Sequence, residues 1–248
     1  MYLLKRIIIF VVGFTFLFVL VRIIHLLTLS VLLQDIGSIP WLYSTIGVIF
    51  SITSGFIIQT QWDTWDSLTD TVRAEVNALR KLLIFSKHLP ERMSEKISKS
   101  VEQYLESIAT NWHDNENGKR SEEVSDALMQ LQEEMYDVFS NKESLAQIAY
   151  SLFSNILMYR ENRIHYSSRR LPRTLKLLIQ LSTFLIISLS FFIGVRNMWL
   201  DYIFTMGIGL LSFVMYEVIV DMENPLQPGS WHITSKEYYI LLDEIRKK

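Results

Sequence analysis

Four apolar stretches, set as two close pairs around a long polar segment, constrain this chain more than any other feature. A run of about 20 apolar residues crosses a bilayer as a helix, because a helix pairs its backbone amides internally where water is absent. The first stretch covers residues 7–33 and would be about 40 Å long as a helix. A short break at Gln34–Pro40 leads to the second, 41–60, opened by Trp41 and Tyr43 at interfacial depth. The third covers 175–195 and the fourth 199–220, joined by Arg196, Asn197 and Met198. No small-residue cleavage site follows the first stretch, so it is read as a retained helix and not a signal peptide.

Basic residues close to the spans set the orientation. Lys5 and Arg6 precede the first helix, and Arg169, Arg170, Arg173 and Lys176 flank the third, whereas the first hairpin turn has no Lys or Arg. The positive-inside rule then puts both termini and the central segment in the cytosol and the spans in the cytoplasmic membrane. The expected class is an all-α membrane protein in four parts: a first hairpin over 1–60, a cytosolic helical domain over 61–172, a second hairpin over 173–220 and a tail over 221–248.

The central segment is polar but periodic. Leu68, Val72, Val76, Leu79 and Leu83 recur at threes and fours, as do Ile97, Val101, Tyr104, Ile108 and Trp112. Val124, Leu128, Leu131, Met135 and Val138 form a third series, and Leu145, Ile148, Leu152 and Ile156 a fourth. Breaks are expected at Leu89–Pro90 and across 114–118, and Ser140 with Glu143 reads as a capping box that restarts a helix. The second and fourth spans are expected to run directly into cytosolic structure.

Chemistry is thinly represented. There is no cysteine, which removes disulfides, thiol catalysis and thiolate metal sites. The five histidines fall in five different elements, and no nucleotide-binding glycine loop, nucleophile elbow or zinc-protease motif occurs, so no enzyme is expected. Lys and Arg number 24 against 26 Asp and Glu, a balance that advertises no nucleic-acid surface. Asp63 and Asp66 share a helix face beside Trp62 and Trp65. Either a metal ion or a solvated first turn accounts for them.

The spans say more. Ser44, Gly47, Ser51 and Ser54 form a stripe of small residues, read either as a packing face or as a pore wall. The other face, Ile46, Phe50, Thr53 and Ile57, supplies the apolar ring that a dewetting constriction needs, and the two assignments can be exchanged. On the fourth helix Asp201, Thr205, Gly209, Ser212 and Tyr216 form a polar stripe that must point inward. Asp201 or Glu217 is the natural partner for Arg22.

The run Gly55–Phe56, Trp62–Asp66 and Glu75–Arg80 resembles the region after the second helix in the bestrophin-like family of bacterial and plant membrane proteins. So do Asp221, Asn224 and Pro225, with Leu226 and Gly229 beyond them, and the closing segment Ile233–Tyr238. The family's usual Arg before Pro and Phe after it are Asn224 and Leu226 here. Asn224–Pro225 is similar to the Asn-Pro-Phe of true bestrophins, in which neighbouring acids clasp calcium; here Asp221 and Glu223 precede it and no acidic run follows. No other cofactor is implied. Asp221 is expected to cap the tail or to pair with Arg80 or Arg163.

True bestrophins are pentameric ion channels lined by their second helix. The resemblance therefore implies a homo-oligomer, a pentamer, embedded in membrane lipid and passing inorganic ions. Carried over by position, the neck falls on Ile46, Phe50, Thr53 and Ile57, with Ser44, Gly47, Ser51 and Ser54 as the packed side. Asp63, Asp66 and Asp70 would line a cytosolic vestibule, and Trp62, Trp65, Glu75, Asp221, Asn224 and Pro225 would be structural. The sign of the ion stays open, since Arg73 and Arg80 follow the acids. The alternative is a non-conducting scaffold or sensor that binds a cytosolic protein partner through its central helices.

Overall fold

A computed structural model describes residues 2–28, 38–112, 120–141, 143–191 and 197–247. Among them are eight helices and no strand: α1 (Tyr2–Thr28), α2 (Ser38–Ser86), α3 (Glu91–Thr110), α4 (Glu122–Asn141), α5 (Glu143–Ser168), α6 (Arg173–Ser190), α7 (Met198–Glu223) and α8 (Lys236–Arg246). Four segments are long and apolar enough to cross a membrane: within α1, within α2, in the stretch that holds α6, and α7. Residues 29–33, the expected break at 114–118 and the end of the third span with Arg196 lie outside the described residues.

Two compact units result, 1–62 with 170–223 and 63–169 with 224–248. The segment after α7 thus belongs with the central helices and is not a tail of its own. Leu226, Ile233, Tyr238, Leu241 and Leu242 are buried in the same core as the stripes of α2 to α5. α2 contributes to both units. It runs 49 residues without interruption, about 73 Å, because no proline follows Pro40 until Pro90. α7 does not continue in this way. Pro225 pushes Asn224 out of the helical region, and the helix ends at Glu223.

In the spanning unit, α1 and α7 lie antiparallel in a fixed register. Arg6 Nη1 donates to Glu217 Oε2 at 2.6 Å, Phe10 stacks on Phe213 with ring centroids 4.2 Å apart, Phe14 lies against Gly209, and Arg22 pairs with Asp201. The first two steps advance four residues on α1 and retreat four on α7, and the last advances and retreats eight, the ridge spacing that lets two helices interdigitate. Gly209 is required for it: a Cβ there would stand 2.6 Å from Phe14 Cε2. Asp201, Thr205, Gly209 and Ser212 are all buried, so the polar stripe does point inward, and Asp201 is the partner of Arg22. α6 packs beside α7, with Gln180 Nε2 donating to Tyr216 Oη at 3.0 Å and Lys176 bound to Glu223 at 2.7 Å.

In the helical unit the first three stripes are buried, with Leu82 in place of Leu83 at the end of the first. The fourth is shifted. Ile148 is exposed, and the buried face of α5 is Ala149, Phe153, Ile156, Arg160, Arg163 and Ser167. Two arginines occupy positions that hydropathy assigns to the surface, so the apolar pattern alone misplaces the face by one residue. Ser140 lies inside α4 and not at the head of α5. α5 does restart at Glu143, but the Ser140 hydroxyl donates back to the Tyr136 carbonyl at 2.9 Å, inside α4.

Candidate functional site

α2 presents two unlike faces within the spanning unit. Phe50, Ser54, Ile57 and Gln61 are buried, and Phe50 and Ile57 share an apolar core with Leu171, Ile179, Ile186 and Ile219. Ser54 Oγ is buried with no hydrogen-bond partner among the described residues. Ile46, Gly47 and Thr53 are half-buried at the edges. The opposite face is open: Val48, Ile52 and Phe56 are 54%, 69% and 66% exposed and recur at intervals of four. Ser44, Ser51, Gly55, Gln59 and Thr60 are exposed beside them. The structure therefore divides both sequence-derived stripes. Phe50 and Ile57 of the expected neck, and Ser54 of the expected packing side, belong to the chain's own core, whereas Ser44 and Ser51 belong to the uncovered face. The sequence does not choose the register, since a stripe through 46, 50, 53 and 57 and one through 48, 52 and 56 are equally apolar.

The helical unit holds a different kind of centre. Glu75, fully buried on α2, accepts from Arg163 Nε at 2.7 Å and Arg163 Nη2 at 3.4 Å, from Tyr104 Oη at 2.8 Å and from Tyr238 Oη at 2.8 Å. One carboxylate thereby joins α2, α3, α5 and α8. The guanidinium of Arg163 also lies 5.8 Å from the Tyr238 ring and 6.0 Å from the Trp112 ring, within reach of a cation–π attraction. Burial pushes the Tyr104 and Tyr238 phenols well above their ordinary value, and the charge of Glu75 pushes them further. Burial alone would lower Arg163, but Glu75 and the two phenol groups more than reverse it, and its pKa rises. Arg163 is committed to Glu75 and Arg80 to Glu244 at 2.9 Å. Glu75 carried the sequence motif. Its partners were missed, although Tyr104 and Arg163 each stand on a buried stripe, where a polar side chain needs a partner.

The other motif residues anchor the closing segment. Trp65 Nε1 donates to the Trp231 carbonyl at 2.7 Å, and Trp112 Nε1 to the Ile233 carbonyl at 3.0 Å. Ile233 N–H returns to the Pro225 carbonyl at 2.7 Å and Gln227 N–H to the Asn224 carbonyl at 3.0 Å, so Asn224–Pro225 opens a closed turn. Asp221 lies in the last turn of α7. Trp62 is exposed, as are Asp63, Asp66 and Asp70, with Asp70 3.9 Å from Arg73. Among the described residues no three His, Asp or Glu side chains converge as metal ligands, and Glu223, one of the two acids before Asn224, is bound to Lys176.

No curated protein sequence matches the chain. Solved structures do. A bacterial bestrophin homologue from Klebsiella pneumoniae carrying a single mutation superposes with a TM-score of 0.79 at 12% identity, over 98% of this chain and 97% of that one. Another structure of a bestrophin homologue from the same organism, phased on zinc, gives 0.76 at 11% identity, over 99% and 97%. At these identities the likeness establishes the fold. The family model for the bestrophin-like domain matches residues 9–235. With that match over nearly its whole length, the chain is a membrane protein of the bestrophin-like family.

Proposed function

We propose that the chain assembles with copies of itself in the cytoplasmic membrane into an ion channel. In this reading α2 lines the pore with Val48, Ile52 and Phe56, and the helical unit and both termini are cytosolic. The observation that carries the reading is the uncovered face of α2. Three large apolar side chains stand exposed at intervals of four, flanked by Ser44, Ser51, Gln59 and Thr60. The exposed face of α1, with Leu4, Ile8, Ile9, Val12 and Phe16, has no such polar border and suits lipid. A polar-bordered apolar strip suits water and ions, and three apolar rings make a constriction that opens by wetting. Phe50 and Ile57, with the half-buried Ile46 and Thr53, then support the wall from behind. Five copies form the ring in this reading, as the resemblance to bestrophins implies. Exposed Asp63, Asp66 and Asp70 farther along α2 favour cations, because a ring of one sign concentrates counter-ions.

Ion flux into liposomes tests this. Ile52→Ala and Phe56→Ala are expected to raise flux by widening the constriction, whereas Phe50→Ala lowers thermal stability. Unchanged flux in both pore variants, or a single chain with α2 against lipid, would sink the reading. The rival scaffold reading rests on exposed Met129, Tyr136, Tyr150 and Met158 of α4 and α5. It gains if the purified protein is monomeric and conducts nothing.

A further inference from the structure

Arg173 opens α6, and on that helix Arg173, Leu177, Leu181 and Phe184 follow at intervals of four, four and three. That spacing places them in one narrow sector. All are exposed, Leu177, Leu181 and Phe184 by 66%, 51% and 65%, while Ile179, Ser182, Ile186 and Ser190 on the opposite sector are buried.

Arg173 differs from most of the cations at its end of the spanning unit. Lys176 is bound to Glu223 and Arg6 to Glu217, and Arg170 Nη1 donates to the Glu223 carbonyl at 3.3 Å. No described residue pairs with Arg173, and the same is true of Lys5 on α1. These positions share one end, because α1 and α6 both run antiparallel to α7 through the pairs just named. The first turn of α6 carries no acid and no side-chain cap, and the N–H groups of Leu175 and Lys176 both return to the Pro172 carbonyl. The N–H groups of Arg173 and Thr174 are left without an acceptor inside the helix.

The length of the strip identifies what this surface fits. From Arg173 to Phe184 is eleven residues, about 16 Å of helix, and one leaflet of a bilayer is about 15 Å of hydrocarbon. A cation with two free backbone donors at one end, and one leaflet's depth of exposed Leu and Phe below it, match an anion attached to an acyl chain. We infer that this sector of α6 is a binding site for an anionic glycerophospholipid. The phosphate lies on Arg173 and the first N–H groups of α6, and an acyl chain lies along Leu177, Leu181 and Phe184. A planar guanidinium with five donors is the side chain best shaped for a phosphodiester. Nothing in the assignment depends on whether the protein conducts.

The test is a thermal-shift titration of the detergent-solubilised full chain with dioctanoyl phosphatidylglycerol, dioctanoyl phosphatidylcholine or inorganic phosphate. The phosphatidylglycerol is expected to raise the midpoint saturably, and the other two to leave it unmoved. Arg173→Gln is expected to weaken the apparent affinity by about tenfold, the size of a charge-assisted contact. Arg173→Lys keeps the charge without the fork and falls between Gln and the parent. Lys5→Gln removes another exposed, unpaired cation at the same end and is expected to change affinity by less than about twofold, because a site, unlike a surface potential, is local.

Equal losses in Lys5→Gln and Arg173→Gln would replace the site by diffuse surface charge. An equal response to phosphatidylcholine would reduce it to ordinary hydrocarbon contact, and an equal response to inorganic phosphate would make it a free-anion site. If Arg173→Gln changes the mass of the assembly and not the lipid response, the sector is an interface between copies. Each of those results overturns the assignment.

Discussion

Each unit of this protein encloses an arginine–carboxylate pair, and the two pairs are finished differently. In the helical unit, Glu75 and Arg163 are sealed in the middle of an apolar core, and two tyrosine hydroxyls complete the carboxylate. In the spanning unit, Arg22 and Asp201 close one end of the α1–α7 register, with side chains 13% and 4% exposed, and each pair leaves a buried guanidinium nitrogen without a hydrogen-bond partner among the described residues, Nε of Arg22 here and Nη1 of Arg163 there. A chain that unfolds into water leaves its charges well solvated, so a pair buried in the fold is stable only when nearly every donor and acceptor is used. Within a membrane the separated helices never gain that solvation, and a pair without added hydroxyl donors of the kind that Tyr104 and Tyr238 supply suffices to hold two helices in register.

The strongest way to break the comparison is to remove Glu75. Glu75→Ala strands the Arg163 guanidinium and two phenols in the core and is expected to cost about 3–5 kcal/mol. Chemical denaturation of the detergent-solubilised chain, followed by far-UV circular dichroism, would read it. Replacing the pair together, Glu75→Leu with Arg163→Met, is expected to recover most of the loss. A single-variant loss below about 1 kcal/mol would mean that water reaches the node.

Packing carries the spanning unit where polar chemistry carries the other. Gly209→Leu drives a side chain into Phe14 and is expected to cost about 1–3 kcal/mol, read as a lower melting midpoint in detergent. Phe14→Ala in the same chain should return part of it. Gly55→Ala is the matched control, because a Cβ there meets nothing within 4 Å. An equal loss at both positions would remove the register as the cause.

Much of this arrangement was legible beforehand. The four spans, their pairing around a helical insert, three of the four buried stripes and a choice of two carboxylates, Asp201 or Glu217, for Arg22 follow from apolar periodicity and from the cost of a lone charge in hydrocarbon. What periodicity could not supply was any choice between equally apolar stripes. On α2, Phe50 and Ile57 were assigned to the open face, but α6 and α7 cover them, a fact of tertiary packing with no local signature. On α5 the opposite problem arose, since Arg160 and Arg163 occupy buried positions that only distant partners make acceptable. Glu75 was visible as a motif, whereas Tyr104, Arg163 and Tyr238, up to 163 residues away, were not visible as its ligands.

The tyrosines give the comparison a pH axis. Both phenols are raised, so folding favours their protonated forms. The stabilisation this provides is fully present below the ordinary tyrosine range, about pH 10, and is lost as pH rises through the folded values. The denaturation midpoint of the helical unit is therefore expected to fall between pH 10 and 11. Tyr104→Phe with Tyr238→Phe should flatten that fall while lowering stability at pH 7. Tyrosinate absorbance should show two groups that ionise only on unfolding. Two ordinary titrations in the folded protein would place both hydroxyls in contact with water.

The smallest expected effect bears most directly on the difference between the two pairs. Asp201→Asn keeps the shape of the side chain and removes its charge, leaving Arg22 opposite a neutral amide. Were the spanning unit governed by the same rule as the helical one, this change would cost as much as losing Glu75. The expected loss is about 1 kcal/mol, the scale of polar contacts between membrane helices. Asp201 lies in the first turn of α7, where the helix dipole favours an anion, so part of that loss is the dipole and part the pair. Arg22→Met separates them, since it leaves the dipole contribution intact. Combining Arg22→Met with Asp201→Asn should then cost less than the sum of the two single changes. A loss near 4 kcal/mol in Asp201→Asn alone would place the pair in a sealed interior and erase the distinction between the units.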